Sequence, residues 1–153
     1  LPKANYKFAL LEIGNHFLES EKEIITIINK SNNPIEDVKG FLSRGWIPNM
    51  TNEYGESLVQ YLIRLNCIDH AEILINNGAD INKPDTYYNN TPLVSATIRN
   101  LPNIVELILN KGADITKQNN NGSTPAYLAV KNKLSNIAEL LTNKRSNPNT
   151  PQL

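Results

Sequence analysis

Cys67 and His70 stand three residues apart at the start of "CIDHAEILI", a stretch that reads as a helix. A helix N-terminus favours a thiolate and a nearby imidazole can take its proton, so the pair has the composition of a nucleophilic dyad. The plainer reading is a small, half-buried residue packed between helices, and it is the one adopted. His16, the other histidine, lies far away in the chain. Asp80 and Asp114 could suggest a metal, but each sits in a copy of the same loop phrase, where a carboxylate more simply braces the loop by accepting backbone N–H groups. No HExxH, paired CxxC, nucleophile elbow or phosphate loop is present. No catalytic residue, metal or cofactor is therefore assigned, and the chain is not expected to be an enzyme.

Bulk properties narrow the field further. The chain has 153 residues, the size of one ordinary domain, with fifteen Lys and Arg against fifteen Asp and Glu. That balance argues against nucleic acid or a membrane surface as partner, since either calls for a basic excess. No apolar run reaches membrane-spanning length, and no secretory pattern opens the chain. Its first residue is Leu1, so it reads as a piece of a longer protein. The lone cysteine excludes an internal disulfide framework and suits a reducing, cytoplasmic compartment.

The elements that would hold any site announce themselves by repetition. "ILINNGADINK" over residues 73–83 returns as "LILNKGADITK" over residues 107–117. Upstream of each lies a helix start: "SLVQYL" from Ser57, "TPLVSA" from Thr91 and "TPAYLA" from Thr124. The phase holds over three units with a period of about 33 residues, the signature of one supersecondary unit stacked on its copies. One extra residue is absorbed in "TYYNN". Thr91 and Thr124 can cap a helix, and Pro92 and Pro125 fit its first turn. Short apolar faces follow: Val59, Leu62 and Ile63; Leu93, Ala96 and Thr97; Ala126, Ala129 and Val130. A polar break at Asn66, Asn100 or Lys133 leads into a second helix, and Gly78 and Gly112 end that helix in a left-handed conformation. Ile104, Val105, Leu107, Ile108 and Leu109 are too continuously apolar for a surface helix, so neighbours must cover both sides. Leu141, in the last unit, is expected to meet water on its outer side.

"NTPLVSAT…NIVELILNKGADI" and "NGSTPAYLAV…NIAELL" resemble ankyrin repeats. The resemblance implies an all-α solenoid of stacked helix–turn–helix units, with three clear repeats over residues 51–145 and a disordered tail over 146–153. Departures occur. The usual His after Thr-Pro-Leu is Gln60, Val94 and Tyr127, His70 replaces an Ile, and Arg145 and Thr142 replace a loop Gly and an apolar residue in the last unit. Residues 1–50 are expected to form an N-terminal helical segment. "EKEIITIINKSN" and "PIEDVKGFLSRG" would be a degenerate first repeat, with Trp46 covering the end of the stack.

Ankyrin stacks resemble a cupped hand, with turn tips as fingers and first helices as palm. Fixed residues set the structure, so a protein partner is expected at the variable residues of the concave face. These are Tyr54, Glu56, Arg64, Leu65, Tyr87, Tyr88, Asn90, Ile98, Arg99 and Lys131. Tyrosines at the fingertips with arginines in the palm have a hot-spot composition, and Leu65 and Ile98 are needlessly apolar for solvent.

Two further resemblances concern smaller stretches. Leu1-Pro2 followed by Leu10 and Ile13 resembles the opening of an F-box, which implies Skp1 docking through these residues and a ubiquitin-ligase adaptor. F-box helices joined to ankyrin repeats occur in poxviral proteins and in effectors of intracellular bacteria, which would place the chain in a host cytoplasm. The usual Glu soon after Leu-Pro is missing here, and the alternative is a simple helical cap. Leu74 lies eight residues before Asn82, with Asp80 and Ile81 just ahead. That setting is similar to the one hydroxylated by an oxygen-dependent asparaginyl hydroxylase, which would make Asn82 a modification site.

Overall fold

Three threonine or serine hydroxyls start the repeating pattern. In the computed structural model, which describes residues 33, 51 and 55–146, with side chains through 144, Ser57 Oγ accepts from the N–H of Gln60 at 3.2 Å. Thr91 Oγ1 accepts from Val94 N–H at 3.3 Å, and Thr124 Oγ1 from Tyr127 N–H at 3.2 Å. Each bond satisfies one of the donors that a helix start leaves open. The helices that follow are α1 (Leu58–Arg64), α3 (Pro92–Ile98) and α5 (Pro125–Lys131), each seven residues long. Pro92 and Pro125 occupy the first helical position, as expected.

These helices are short because a residue that can turn left follows each one. Asn66, Asn100 and Lys133 have φ of 59°, 54° and 58°. At each place two bonds close the helix end: Asn66 N–H donates to Ile63 O at 3.1 Å and Cys67 N–H to Leu62 O at 2.9 Å, and the pattern repeats after α3 and α5. This is a Schellman closure. The chain is then already aimed into the second helix of the unit: α2 (Ile68–Asn76), α4 (Pro102–Asn110) or α6 (Ser135–Ser146). Cys67 and Leu101 serve both as the last residue of the closure and as the N-cap of the next helix, so neither start has a side-chain cap. Gly78 and Gly112, at φ of 92° and 85°, close α2 and α4 by the same two-bond arrangement. The last unit has Arg145 where those glycines stand, and α6 runs on to Ser146, twelve residues against nine in α2 and α4. Without a residue that adopts positive φ cheaply, the helix has no reason to stop there.

Packing runs in two layers. The first helices stack as α1 on α3 on α5, the second helices as α2 on α4 on α6, and each pair closes on itself. The core lies between the layers and is continuous through the units, with Tyr61, Leu74, Leu93, Ile104, Val105, Ile108 and Ile137 fully buried. The middle unit is covered on both sides, as the unbroken apolar run of α4 requires. The architecture is all-α; among the described residues the one β feature is an isolated bridge between Thr51 and Ser57.

Two expectations for the last unit need correction. Leu141 is only 3% exposed, so its outer side does not meet water. It belongs to the buried core cluster, and α6 packs against both α4 and α5. The residues left open are instead on α5. Of Ala126, Ala129 and Val130, only Ala129 is buried, and Val130 is 70% exposed. The corresponding residues of α3, Leu93 and Thr97, are buried because α5 lies over them. Residues 1–50, apart from Asn33, and the tail after Ser146 lie outside the described residues, as do the cap, degenerate repeat, F-box and disordered tail expected there.

Candidate partner-binding groove

Between units the chain makes a narrow turn, and one side chain holds each turn from within. Asp85 Oδ1 accepts from the N–H groups of Tyr87 at 3.1 Å, Tyr88 at 2.9 Å and Asn90 at 3.3 Å. Asn119 Oδ1 does the same for Asn121 and Ser123, both at 3.0 Å. Backbone bonds close the base of each finger, from Asp85 N–H to Asn90 O at 2.9 Å and from Asn119 N–H to Ser123 O at 3.1 Å. Asn89 and Gly122 supply the positive φ that such a turn needs, at 57° and 73°. The first of these fingers, residues 85–90, is one residue longer than the second, residues 119–123, which is how "TYYNN" absorbs the extra residue.

The fingers are also tied to each other and to the palm. Asn120 N–H donates to Tyr88 O at 2.8 Å, and Asn119 Nδ2 donates to Asn90 Oδ1 at 3.0 Å. Gln60, in the slot where His is usual, reaches across a unit boundary and donates from Nε2 to Asn90 O at 2.6 Å. The neighbouring loops are linked in the same way: Asn82 Oδ1 accepts from Asp114 N–H at 3.0 Å. Asp80 and Asp114 brace their own loops, Asp80 through the N–H groups of Asn82 and Lys83, Asp114 through the N–H and hydroxyl of Thr116. The Thr116 hydroxyl first, and its N–H second, hold the Asp114 carboxyl below the usual carboxylate range.

Fingers and first helices enclose a groove of about 920 Å³. Its walls carry Tyr87 and Tyr88 from one finger and Ile98, Arg99, Tyr127 and Lys131 from the palm; Ser95 and Leu128, both half-buried, line it too. Tyr88 is 61% exposed, Tyr127 54% and Ile98 48%. Lys131 Nζ lies 5.8 Å from the centre of the Tyr127 ring, within cation–π range.

The residues expected to meet a partner divide into groups. Tyr87, Tyr88, Ile98, Arg99 and Lys131 line the groove and are exposed. Glu56 and Arg64 line it as an ion pair, Nε to Oε1 at 3.3 Å, with Glu56 buried and the Arg64 guanidinium 5.1 Å from the centre of the Tyr61 ring. Asn90 lines it but is buried and braces both finger and palm, a structural part in place of the exposed one expected. Leu65 caps α1 and packs against the core, which explains an apolar residue there without a partner. Tyr54 and the residues named for Skp1, Leu1, Pro2, Leu10 and Ile13, lie outside the described residues. Tyr127 was missed. Its slot holds a buried residue in the two earlier units, Gln60 and Val94, and only its place in the last unit leaves it open.

The dyad candidate takes the plain form. Cys67 is half-buried, its Sγ lies 3.9 Å from Leu65 O, and burial pushes its thiol up from the ordinary value, which disfavours the thiolate. His70 is buried on α2. Among the described residues no group of three or more His, Cys, Asp or Glu side chains could hold a metal ion. No helix among them is long and apolar enough to cross a membrane.

A stack of helical hairpins whose second helices close against the next unit, with braced turn loops over a palm of first helices, defines the class as a repeat solenoid with a lined groove. The family model described as ankyrin repeats, in three copies, matches residues 24–119 and 88–152, and the chain belongs to the ankyrin-repeat family. It is 37% identical over 95 residues to a putative ankyrin repeat protein of fowlpox virus, covering 61% of this chain and 28% of that protein. A putative ankyrin repeat protein of Acanthamoeba polyphaga mimivirus is 34% identical over 100 residues, 61% of this chain and 62% of the relative. A Notch homologue of Xenopus tropicalis is 29% identical over 141 residues, 91% of this chain but 5% of that protein. The chain thus spans less than two thirds of each of these relatives. Ankyrin repeats generally act as protein–protein interaction modules.

Proposed function

We propose that this chain is a non-catalytic interaction module that holds a protein partner in the groove between its fingers and first helices. The observation that carries the reading is a division of labour. Gln60, Asp85, Asn90 and Asn119 are used up in fixing the frame, whereas the side chains of Tyr88, Ile98 and Tyr127 stand exposed upon it. Exposed aromatic and apolar side chains on a rigid, concave surface match what binding hot spots use. The double change Tyr88→Ala with Ile98→Ala should release a partner captured by the native chain while leaving the melting curve in place. The control Glu106→Ala, exposed on α4 away from the groove, should release nothing. A partner that ignores the double change and is lost with Glu106→Ala would move the site to the second helices.

Asn82 supports a second reading, as a modification site. It is exposed in the loop after α2. Intact-mass measurement after incubation with an asparaginyl hydroxylase should show one added oxygen on Asn82; an unchanged mass removes the reading. Skp1 docking and an adaptor role in a host ubiquitin ligase rest on the F-box resemblance of residues 1–13. A Skp1 pull-down compared between the native chain and Leu1→Ala with Pro2→Ala tests them, and no Skp1 with the native chain ends them.

A further inference from the structure

The charges around the groove are not equally committed. The Glu56 carboxylate is buried and held by Arg64. The Asp85 carboxylate takes three backbone N–H groups of its own finger. Arg99 and Lys131 differ. Both are exposed on the palm, and among the described residues neither is paired with a carboxylate. The groove's acids are therefore answered from within, and two cations are left facing whatever enters.

Their positions set a pattern. Arg64, Ile98 and Lys131 are the last residues of α1, α3 and α5, so they form a row across the palm, basic, apolar, basic. Arg64 is already paired, and Arg99, beside Ile98, supplies the second open cation. Arg99 and Lys131 sit one helix step apart, roughly 8–10 Å by ordinary helix packing. An extended chain covers that distance in about three residues.

We infer that the groove takes an acidic segment of a protein partner, with an apolar side chain over Ile98 and Tyr127 and carboxylates about three residues apart for Arg99 and Lys131. The inference rests on the protein-binding reading of this groove and names the chemistry of its occupant. Tyrosines and cations together also suit single-stranded nucleic acid, but two open cations in a chain with no net charge cannot neutralise a phosphate backbone. An isolated pair of carboxylates around an apolar residue matches what is present.

Selection of a phage-displayed library of random twelve-residue peptides on the full chain tests this, followed by affinity measurements with the recovered sequences. The recovered peptides should be enriched in Asp and Glu flanking apolar residues. Exposed ion pairs contribute modestly, so Arg99→Ala with Lys131→Ala should weaken binding about tenfold. The reversal Arg99→Glu with Lys131→Glu should shift selection toward Lys-rich peptides. All these side chains are exposed, and an unchanged melting curve checks that the fold is kept. Peptides without acidic enrichment that still depend on Tyr88 and Ile98 would overturn the charge assignment and leave the groove as a protein site. Competition by a twelve-nucleotide oligothymidine as strong as by the peptide would overturn it in favour of a polyanion. No recovered peptide, or peptides indifferent to every one of these changes, would sink both the inference and the groove reading.

Discussion

Ile108 and Val130 are both β-branched helix residues, yet the stack gives them opposite surroundings. Ile108 on α4 is fully buried with α2 on one side and α6 on the other, whereas Val130 on α5 is 70% exposed. Ile108→Ala removes three carbons from a closed site. At about 0.8 kcal/mol each the transfer loss is roughly 2.4 kcal/mol, and the cavity left behind raises it to about 3–4 kcal/mol. Ala is the better helix former by about 0.5 kcal/mol, so the net cost is about 3 kcal/mol. Val130→Ala removes two carbons that are mostly wet, a loss of roughly 0.5 kcal/mol that the same helix propensity nearly cancels. Urea titrations followed by circular dichroism should show the midpoint falling for Ile108→Ala and staying put for Val130→Ala, with the slope unchanged in both. In thermal melts the buried change should lower Tm by about 6–12 °C for a chain of this length. If Val130→Ala costs as much as Ile108→Ala, the outer side of α5 is covered in solution and the last unit is not an open end of the stack.

Three further outcomes follow from local geometry. Lys133 ends α5 at φ 58°, a conformation that costs a non-glycine residue about 1–2 kcal/mol; Lys133→Gly recovers most of that against the extra freedom of glycine in the unfolded chain. A net gain of about 0.5 kcal/mol in the same urea titration is expected, and a loss would mean that the Lys133 side chain does something at this turn. The lowered carboxyl of Asp114 stabilises the fold above the ordinary carboxylate range, and that contribution disappears as pH falls through its depressed value. Thr116→Val removes the largest of its causes, so an NMR titration should find the Asp114 carboxyl moved back up, and an unmoved carboxyl would refute the assignment. Burial holds Cys67 as a thiol, so a disulfide-exchange reagent should label it more slowly in the native chain than in urea. Equal rates would reopen a reactive-thiol reading.

The fold was legible because its start and stop signals are local. Thr91 with Pro92 states a helix beginning, and Gly112 states an ending, within a few residues of the events they cause. The polar breaks at Asn66, Asn100 and Lys133 were equally readable, since a polar residue between two apolar helices marks the reversal even before its positive φ is known. Position in the stack was read for the middle unit, whose apolar run asked for cover on both sides, but not for the last one. Ala126 and Val130 spell the same apolar face as Leu93 and Thr97, but among the described residues no helix lies over them as α5 lies over α3. Leu141 erred the other way, because a terminal unit is open on one side of its first helix while its second helix still turns inward.

The groove followed the same division. Tyr87, Tyr88, Ile98 and Arg99 could be named from the repeat phase, because variable residues at turn tips and on first helices must face one way. Polar residues at those places were ambiguous. Asn90 and Tyr88 lie two apart in one finger, yet Asn90 is bound into the frame by Gln60 and Asn119, while Tyr88 gives the frame only its backbone. No property of asparagine itself separates those roles; only its two partners do, one from the preceding unit and one from the following finger. An Asn whose carbonyl and side chain are both taken up by neighbouring units is thus more simply a rung of the frame than a contact for a partner. By that criterion the face proposed for a partner narrows to exposed aromatic, apolar and cationic residues such as Tyr88, Ile98 and Arg99, whose side chains do not brace the frame. Tyr127 satisfies that criterion: alone of its slot it is neither bonded across a unit boundary, as Gln60 is, nor buried, as Val94 is.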